Sequence, residues 1–405
     1  MARKDRYIVG LDLGSTKTCA LICQPNKDGK LEAAGLGVAE SRGWRKGVIV
    51  NLDLTVLALK KAVEAAEAAA GVPADSAYVG LAGPHIKGVS SRGALSLGNR
   101  SREVTREDVH KVIQTTQSIS LPPDRELLHV LPQEFLLDSQ DGIRDPMGMV
   151  GSRLELNAHL VTASATAMRN VVTAVNRAGI VVLDTVFEPM ASAEACLTAD
   201  ERELGVALLD IGGGSTDLIV YHQGTVRHTA AIPVGGEHFT NDIAVGLRTP
   251  IPEAEKMKRA WGERDPSAPA EATLEVPSVG ERPSRVVSYA MLTEIIEPRA
   301  MELVELVREE LVRSGLDKQL GAGVVLAGGG AKLGGLVALA EQMLALPARI
   351  GRPTGLEKLG EILPDPSFTT VVGLVVHGYR LRLLHGSRDK GWFGKLWGVL
   401  RGEAS

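Results

Sequence analysis

The sequence predicts an α/β fold made of two copies of one unit, and three glycine-rich segments carry that prediction. Residues 7–14 read YIVGLDLG and residues 205–214 read GVALLDIGGG. Each is an apolar, partly β-branched run ending in Asp, an aliphatic residue and Gly, as a buried strand entering a tight turn would. Ser15, Thr16 and Lys17 follow the first, and Ser215, Thr216 and Asp217 follow the second, before the apolar runs resume as TCALIC and LIVY. Each segment therefore reads as strand, turn and returning strand. Asp12 and Asp210 stand 198 residues apart, half the chain, which a duplicated domain explains most simply. The third segment, GVVLAGGGAKLGG (323–335), reads as a strand, the turn Gly328, Gly329 and Gly330, and a helix from Leu333.

These turns have a chemistry. Gly14, Gly212, Gly213 and Gly214 free the backbone to aim successive N–H groups at an anion. The Ser and Thr hydroxyls add donors. An Asp at the end of each strand can hold Mg²⁺ through water, because Mg²⁺ keeps several waters and takes few direct carboxylates. One such hairpin is only a turn; two facing each other would grip the phosphates of a nucleotide from both sides. The glycines 328–330 would let a nucleoside approach the backbone closely. No GxGxxG is present to support a dinucleotide-binding turn instead. Between these segments, PVGGEHFTNDIA places Gly235 and Gly236 just before a helix. Glu255 and Lys258 stand three apart on one helix face, either as a solvated ion pair or as a clasp for ribose and base.

Composition narrows the class. The 405 residues are 44% apolar and 23% charged, enough for two or three domains with a sizeable core. The formal charge of −4 gives no global case for nucleic acid as a partner. Three cysteines without accompanying histidines argue against zinc and for buried small side chains. The N-terminus MARKDRYIVGLDLG lacks the apolar core of a signal peptide, and no run reaches the ~18 apolar residues that span a bilayer. A cytoplasmic protein touching membrane only from its surface is expected.

The tail supplies that contact. RDKGWFGKLWGVLR (388–401) puts Trp392, Phe393, Leu396, Trp397, Val399 and Leu400 in one helical sector of about 160°, flanked by Arg388, Lys390, Lys395 and Arg401. This is the pattern of an amphipathic helix lying in a membrane interface. The alternative is a terminal helix docked on its own domain, which Gly391, Gly394, Gly398 and the following Gly402 disfavour. One such tail binds weakly; many linked in a polymer hold firmly through effective concentration.

The ordered set of motifs resembles the actin, sugar-kinase and 70-kDa heat-shock ATPase superfamily. Longer stretches resemble one family within it, the bacterial cell-division family FtsA: SRGWRKGVIVNL (41–52), LHVLPQEFLLD (128–138), DGIRDPMGMVGSRLE (141–155), ADERELGVALLDIGGGSTD (199–217), VPSVGERPSR (276–285) and TEIIEPRAMEL (293–303). The likeness runs through essentially the whole chain. It implies an actin-like, two-lobed ATPase fold built on a duplicated ribonuclease-H-like unit. Lobe 1 would take residues 1–83 and 163–190 and close with strands near 365–385. Residues 84–162 would form an inserted small subdomain, with a strand in KGVSSRGALSL, a helix in REDVHKVIQTTQSI and a Pro-Pro turn at 122–123. Lobe 2 would take 191–364, its outer part near 250–310 holding a loop with Pro266, Pro269, Pro277 and Pro283, then a long helix from about Leu292 to Val312. Residues 386–405 would be linker and amphipathic membrane-targeting helix.

Carried over by motif, the resemblance implies ATP and Mg²⁺ as cofactors. Asp12 and Asp210 would organise the metal. Gly14, Ser15, Thr16 and Lys17 would cradle phosphates on one side, and Gly212, Gly213, Gly214, Ser215 and Thr216 on the other. Gly235 and Gly236 would approach the terminal phosphate, and Glu255, Lys258 and Gly328 to Gly330 would hold the adenosine. Glu188 would orient attacking water as the catalytic residue, or else is an acid at a helix start before Pro189. Slow hydrolysis, self-association into a polymer and tethering of the tubulin-like protein FtsZ to the cytoplasmic face of the membrane would follow, with later division proteins as further partners. Arg282, Arg285 and Arg299 would meet the acidic C-terminal tail of FtsZ, or else are ordinary surface charge. A small-molecule kinase and a pilus-assembly protein of the same superfamily are the competing readings.

Overall fold

The computed structural model describes residues 7–45, 47–263, 272–280, 282–358 and 365–386. The expectations placed on Trp392, Phe393, Leu396, Trp397, Val399 and Leu400, and on Pro266 and Pro269, lie outside the described residues.

The chain opens with an antiparallel meander, β1 (Ile8–Leu13), β2 (Lys17–Pro25) and β3 (Leu31–Glu40). A short ribbon, β4 (Trp44–Arg45) and β5 (Val48–Ile49), leads into α1 (Leu52–Ala70). Asn51 caps this helix by accepting from the Leu54 N–H, and Gly71 ends it in the left-handed conformation. Ala58, Leu59, Ala62, Val63 and Ala66 form its buried stripe at helical spacing. The stripe lies close on β3, because Cβ atoms at Gly35 or Gly37 would strike the backbone of Ala66 and Ala62. β6 (Ser76–Leu81) then returns parallel to β1.

The insertion follows, with β7 (Lys87–Ser96), β8 (Arg102–Glu103), α2 (Arg106–Gln117), β9 (Arg125–Leu137), β10 (Gln140–Ile143), β11 (Val150–Gly151) and β12 (Arg153–Ser164). Its four-stranded sheet has the order β10-β9-β12-β7, with β8 and β11 paired as a separate ribbon. A capping box of Thr105 and Asp108 starts α2, which buries Val109, Val112 and Ile113 against Phe135, Leu154 and Leu156. The strand, the helix and the Pro122-Pro123 turn stand where the sequence places them.

The chain re-enters the first sheet through α3 (Ala165–Arg177) and β13 (Val181–Phe187), completing the order β13-β6-β1-β2-β3. Two short helices follow, α4 (Glu188–Cys196) and α5 (Ala199–Leu204). The second meander is β14 (Val206–Ile211), β15 (Thr216–His222) and β16 (Thr225–Ile232). Then come α6 (Gly236–Leu247), α7 (Ile251–Gly262), the ribbon β17 (Thr273–Val276) and β18 (Arg285–Ser288), and α8 (Tyr289–Ser314). β19 (Val324–Ala327), α9 (Leu336–Leu344), β20 (Ala348–Ile350) and α10 (Thr369–Gly386) end the described chain. The second sheet runs β16-β15-β14-β19-β20: three antiparallel strands, then two parallel, the same plan as the first.

Three expectations are corrected. The closing segment of lobe 1 is the helix α10, not strands. Its run TTVVGLVV is β-branched enough to read as strand, but packing overrides that propensity. Val371, Leu374, Val375 and Leu381 recur at helical spacing and are buried. Gly373 and Gly378 let the helix press on Ala191 and on the Tyr78 ring. After Gly328–Gly330 the chain makes a 3₁₀ turn over Gly329–Lys332, and α9 starts only at Leu336, because Gly334 and the left-handed Gly335 interpose. The expected lobe boundary at 190–191 falls inside α4, which packs on α10 and is tied to it by the Glu194–Arg380 ion pair at 2.7 Å.

The insertion also touches lobe 2. The His159 Nε2 lies 2.8 Å from the Thr229 hydroxyl, Gln133 donates to the Val226 carbonyl at 2.9 Å, and Arg144 pairs with Glu203 at 2.7 Å. The three cysteines are free and buried, as small apolar side chains would be.

Candidate functional site

Both hairpin turns open into one cleft of about 450 Å³ between the two sheets. Asp12 ends β1 and Asp210 ends β14, and antiparallel pairing fixes what stands opposite each: Cys19 for Asp12, Asp217 for Asp210. The turns close alike, Gly14 N–H to the Lys17 carbonyl at 3.0 Å and Gly212 N–H to the Ser215 carbonyl at 2.9 Å. They meet across the cleft. A Cβ on Gly213 would come within 2.5 Å of the Thr16 methyl, so only glycine there lets the loops approach this closely.

Most residues singled out from the sequence line this cleft: Asp12, Gly14, Ser15, Thr16, Lys17, Glu188, Asp210, Gly212, Gly213, Gly214, Ser215, Gly236, Glu255, Lys258 and Gly328 to Gly330. Thr216 and Gly235 do not. Thr216 is fully buried and donates to the Val234 carbonyl at 2.8 Å. Gly235 backs the second turn, where a Cβ would lie 2.6–2.8 Å from the backbone of Gly212, Gly213 and Ser215. Both brace the loop rather than face a ligand. Glu255 and Lys258, expected from the sequence to meet the nucleoside, are bonded to each other and to their neighbours. Lys258 donates to Glu255 at 2.6 Å, to Thr240 at 2.9 Å and to the Gly236 carbonyl at 3.0 Å. Burial works to raise the Glu255 carboxyl, and Lys258 outweighs it, holding the group below its ordinary value. Gly328 has φ +77, and a Cβ there would stand 2.5 Å from an Asp210 carboxylate oxygen. Conformation and space both demand glycine at this point.

Charge is unevenly distributed. Asp12, Asp210, Asp217 and Glu188 all face the cleft. Burial pushes Asp12 up to about 6, with Lys17 pulling down and Asp210 pushing up. Burial likewise takes Asp217 to about 7, with Asp210 adding to it against the Gly83 N–H. Asp210 is raised by burial although Ser192 and Thr370 donate to it at 2.6 and 3.1 Å. Glu188, at the start of α4, is raised well above its ordinary range by burial and then by the three aspartates. Against these stands Lys17, whose ammonium donates to the Ser367 carbonyl and lies 4.1 Å from the Phe368 ring centroid. Positive charge would offset the repulsion that these carboxylates offer to a polyanion. Among the described residues no three His, Cys, Asp or Glu side chains converge as a direct metal site. The carboxylates of Asp12 and Asp210 in one cleft are oxygen donors of the kind that hold Mg²⁺ through its waters.

Among the contributors that sequence reasoning missed are Asp217, Ser192, Thr370 and Phe368. Asp217 was legible as part of the second turn, and its register opposite Asp210 was the available signal. Ser192, Thr370 and Phe368 come from other elements, and nothing local marks them. The three arginines stand away from this cleft. Arg282 and Arg285 are exposed beside the β17–β18 ribbon, where Arg285 donates to the Leu247 carbonyl. Arg299 is half-buried and grips Asp242 through two bonds of 2.6 and 3.1 Å, with Glu302 as a further partner. It joins α8 to α6.

Comparison with known proteins bears on the whole chain. The family model described as "Cell division protein FtsA" matches residues 207–373, and "SHS2 domain inserted in FTSA" matches 83–162. The cell division protein FtsA of Pseudomonas aeruginosa is 43% identical over 374 residues, 92% of this chain and 89% of that one. That of Escherichia coli K12 is 38% identical over 381 residues, 92% and 90% of the two chains. Among solved structures, the PilM–PilN type IV pilus biogenesis complex superposes with a TM-score of 0.67 at 17% identity, covering 92% of this chain and 98% of that one. MreB5 of Spiroplasma citri bound to ADP gives 0.58 at 15%, covering 96% and 100%. These structural likenesses show an actin-like fold. Among the described residues no helix is long and apolar enough to cross a membrane.

Proposed function

The chain belongs to the FtsA family of cell-division proteins, and on that premise we propose that it binds ATP with Mg²⁺ in the inter-lobe cleft, self-associates, and anchors FtsZ to the cytoplasmic face of the membrane. One observation carries the nucleotide reading: two hairpins of equal register bring Asp12 and Asp210 into the same cleft. Bound Mg²⁺ would neutralise charge on the phosphates and on these carboxylates. The turn N–H groups and Lys17 would hold the phosphates, exchanging the Ser367 carbonyl for phosphate oxygen. Glu255 and Lys258 would meet the nucleoside. Glu188, at the start of α4 in the cleft wall, would orient the attacking water, and slow turnover is expected.

Binding of labelled ATP in Mg²⁺ tests the reading. Asp210→Ala, which removes the carboxylate nearest Gly328, should weaken binding at least about 100-fold, as loss of a charged group from a dry site does. Unchanged affinity would reject the site.

The outer part of lobe 2 is the proposed FtsZ-tail surface, with Arg282 and Arg285 as its exposed cations. Arg299 would act there through the α6–α8 pairing rather than by reaching out. The tail with Trp392, Phe393, Leu396, Trp397, Val399 and Leu400 is the proposed membrane contact. Full-length protein should co-sediment with anionic liposomes, more so with ATP, and a chain ending at Ser387 should not. Equal sedimentation of the two would remove the tail from this role.

A further inference from the structure

His85 stands in the turn Gly83–Ile86, where the chain leaves β6 for the insertion, and the residue is part of the cleft wall with Gly80, Glu188 and Asp217. Both ring nitrogens are buried and have no hydrogen-bond partner in the protein. Native structures rarely leave such atoms unpaired, and an imidazole orphaned at a cleft wall calls for a partner from outside the chain. His159 also has one unpaired nitrogen, but its other nitrogen binds Thr229 at the contact between insertion and lobe 2, which gives it a structural role.

The turn around His85 is braced from three sides. The Gly83 N–H donates to an Asp217 oxygen at 3.0 Å. The His85 carbonyl accepts from Arg125 at 3.2 Å, and Arg125 is itself fixed to the Thr162 carbonyl of β12 at 2.8 Å. Gly83 has φ +116, and the Gly47 carbonyl lies 3.0 Å from where a Cβ would be, so the turn cannot take another residue without moving. Burial, and then Arg125, lower the imidazole to about 4. The ring is therefore neutral near pH 7, with one donor and one acceptor.

Resting on the nucleotide reading of the cleft, we propose that His85 is a further ligand-contacting residue: its ring turns about the Cα–Cβ bond to bring a now-covered nitrogen to the terminal phosphate of the triphosphate, or to the water held against it. The same turn leads directly into the insertion. A triphosphate and a diphosphate would therefore hold the root of the insertion differently, through His85 and through the Gly83–Asp217 bond.

The test is the ratio of Mg·ATP to Mg·ADP affinity, measured by calorimetry on the full chain. His85→Ala should lower ATP affinity about tenfold, the size of one lost hydrogen bond to a charged group, and change ADP affinity less than about twofold. His85→Phe keeps a ring without nitrogens and should behave alike, which guards against a cavity that unfolds the Ala variant. His85→Gln restores a donor and an acceptor and should recover most of the ratio. An unchanged ratio in both Ala and Phe variants, or equal loss of both nucleotides, overturns the proposal. If the unaltered protein binds neither nucleotide, the reading of the cleft itself has failed, and His85 falls with it.

Discussion

The hairpins β1–β2 and β14–β15 can be laid over each other position by position. Asp12 matches Asp210, Gly14 matches Gly212, Lys17 matches Ser215 and Cys19 matches Asp217. Backbone, register and turn closure are shared, yet the charges are not. The first hairpin brings a cation; the second brings a second carboxylate opposite the first. In lobe 1 the position facing Asp12 lies in an apolar cluster with Tyr78, Val371 and Val375, where only a small apolar group such as the Cys19 thiol fits. In lobe 2 the matching position meets the Gly83 N–H and the Ser215 hydroxyl, which can receive a carboxylate. Duplication supplied one geometry twice; the surroundings assigned each copy its chemistry.

The contrast can be broken at its sharpest point by moving the carboxylate. Cys19→Asp would bury an unpaired charge in the cluster under α10 and should destabilise the protein by roughly 3 kcal/mol or more. Urea denaturation would show it, and a variant as stable as the parent would mean that the two surroundings do not differ as described.

Removing the carboxylate from the second hairpin should do the reverse, in a pH-dependent way. Asp217 keeps its proton to about pH 7 when folded, and an unfolded chain releases it near 3.8. The folded state therefore holds the extra proton, and stability from this group falls as pH rises between those values. Asp217→Asn escapes that loss. Without nucleotide, its stability relative to the parent should grow by on the order of 2–3 kcal/mol from about pH 5 to pH 8, while Mg·ATP affinity declines. Denaturation curves giving the same difference at both pH values would show that Asp217 ionises normally.

The smallest expected effect compares the turns. A Cβ at Gly14 would stand 2.9 Å from the Lys17 carbonyl, and one at Gly212 would stand 3.2 Å from the Ser215 carbonyl. Gly14→Ala should therefore cost about 1 kcal/mol more than Gly212→Ala, since the backbone oxygen must move farther. Equal costs, read from thermal unfolding, would indicate that the first turn relaxes as easily as the second.

Much of this arrangement is written locally. A strand ending in Asp-aliphatic-Gly, followed by hydroxylated residues and a returning strand, has few other conformations available, so both hairpins and the cleft-facing residues of their turns were readable. The spacing of Leu292 to Val312 marked α8. The closing strands near 365–385 came from the resemblance, and the β-branched run after Thr369 offered no local signal against them. What makes it a helix is the surface of β1 and α4, which Gly373 and Gly378 allow it to approach. Thr216 and Gly235 belonged to the right motifs but face the wrong way, since alternation along a strand and the backing of a loop are settled by the neighbouring chain. Arg299 read as a surface cation because Asp242, its partner, lies far off in sequence on α6.

Read alone, then, the chain determined the elements whose causes lie within a few residues: the paired turns, the caps, the amphipathic stripes and the chemistry gathered at Asp12 and Asp210. The tertiary structure decided everything that depends on what stands opposite. It placed Asp217 against the Gly83 N–H, set Ser192 and Thr370 on Asp210, left the His85 nitrogens without a partner and turned the closing segment into a helix. Local preference reaches only as far as backbone sterics and neighbouring side chains, whereas burial and charge are properties of the whole packed assembly.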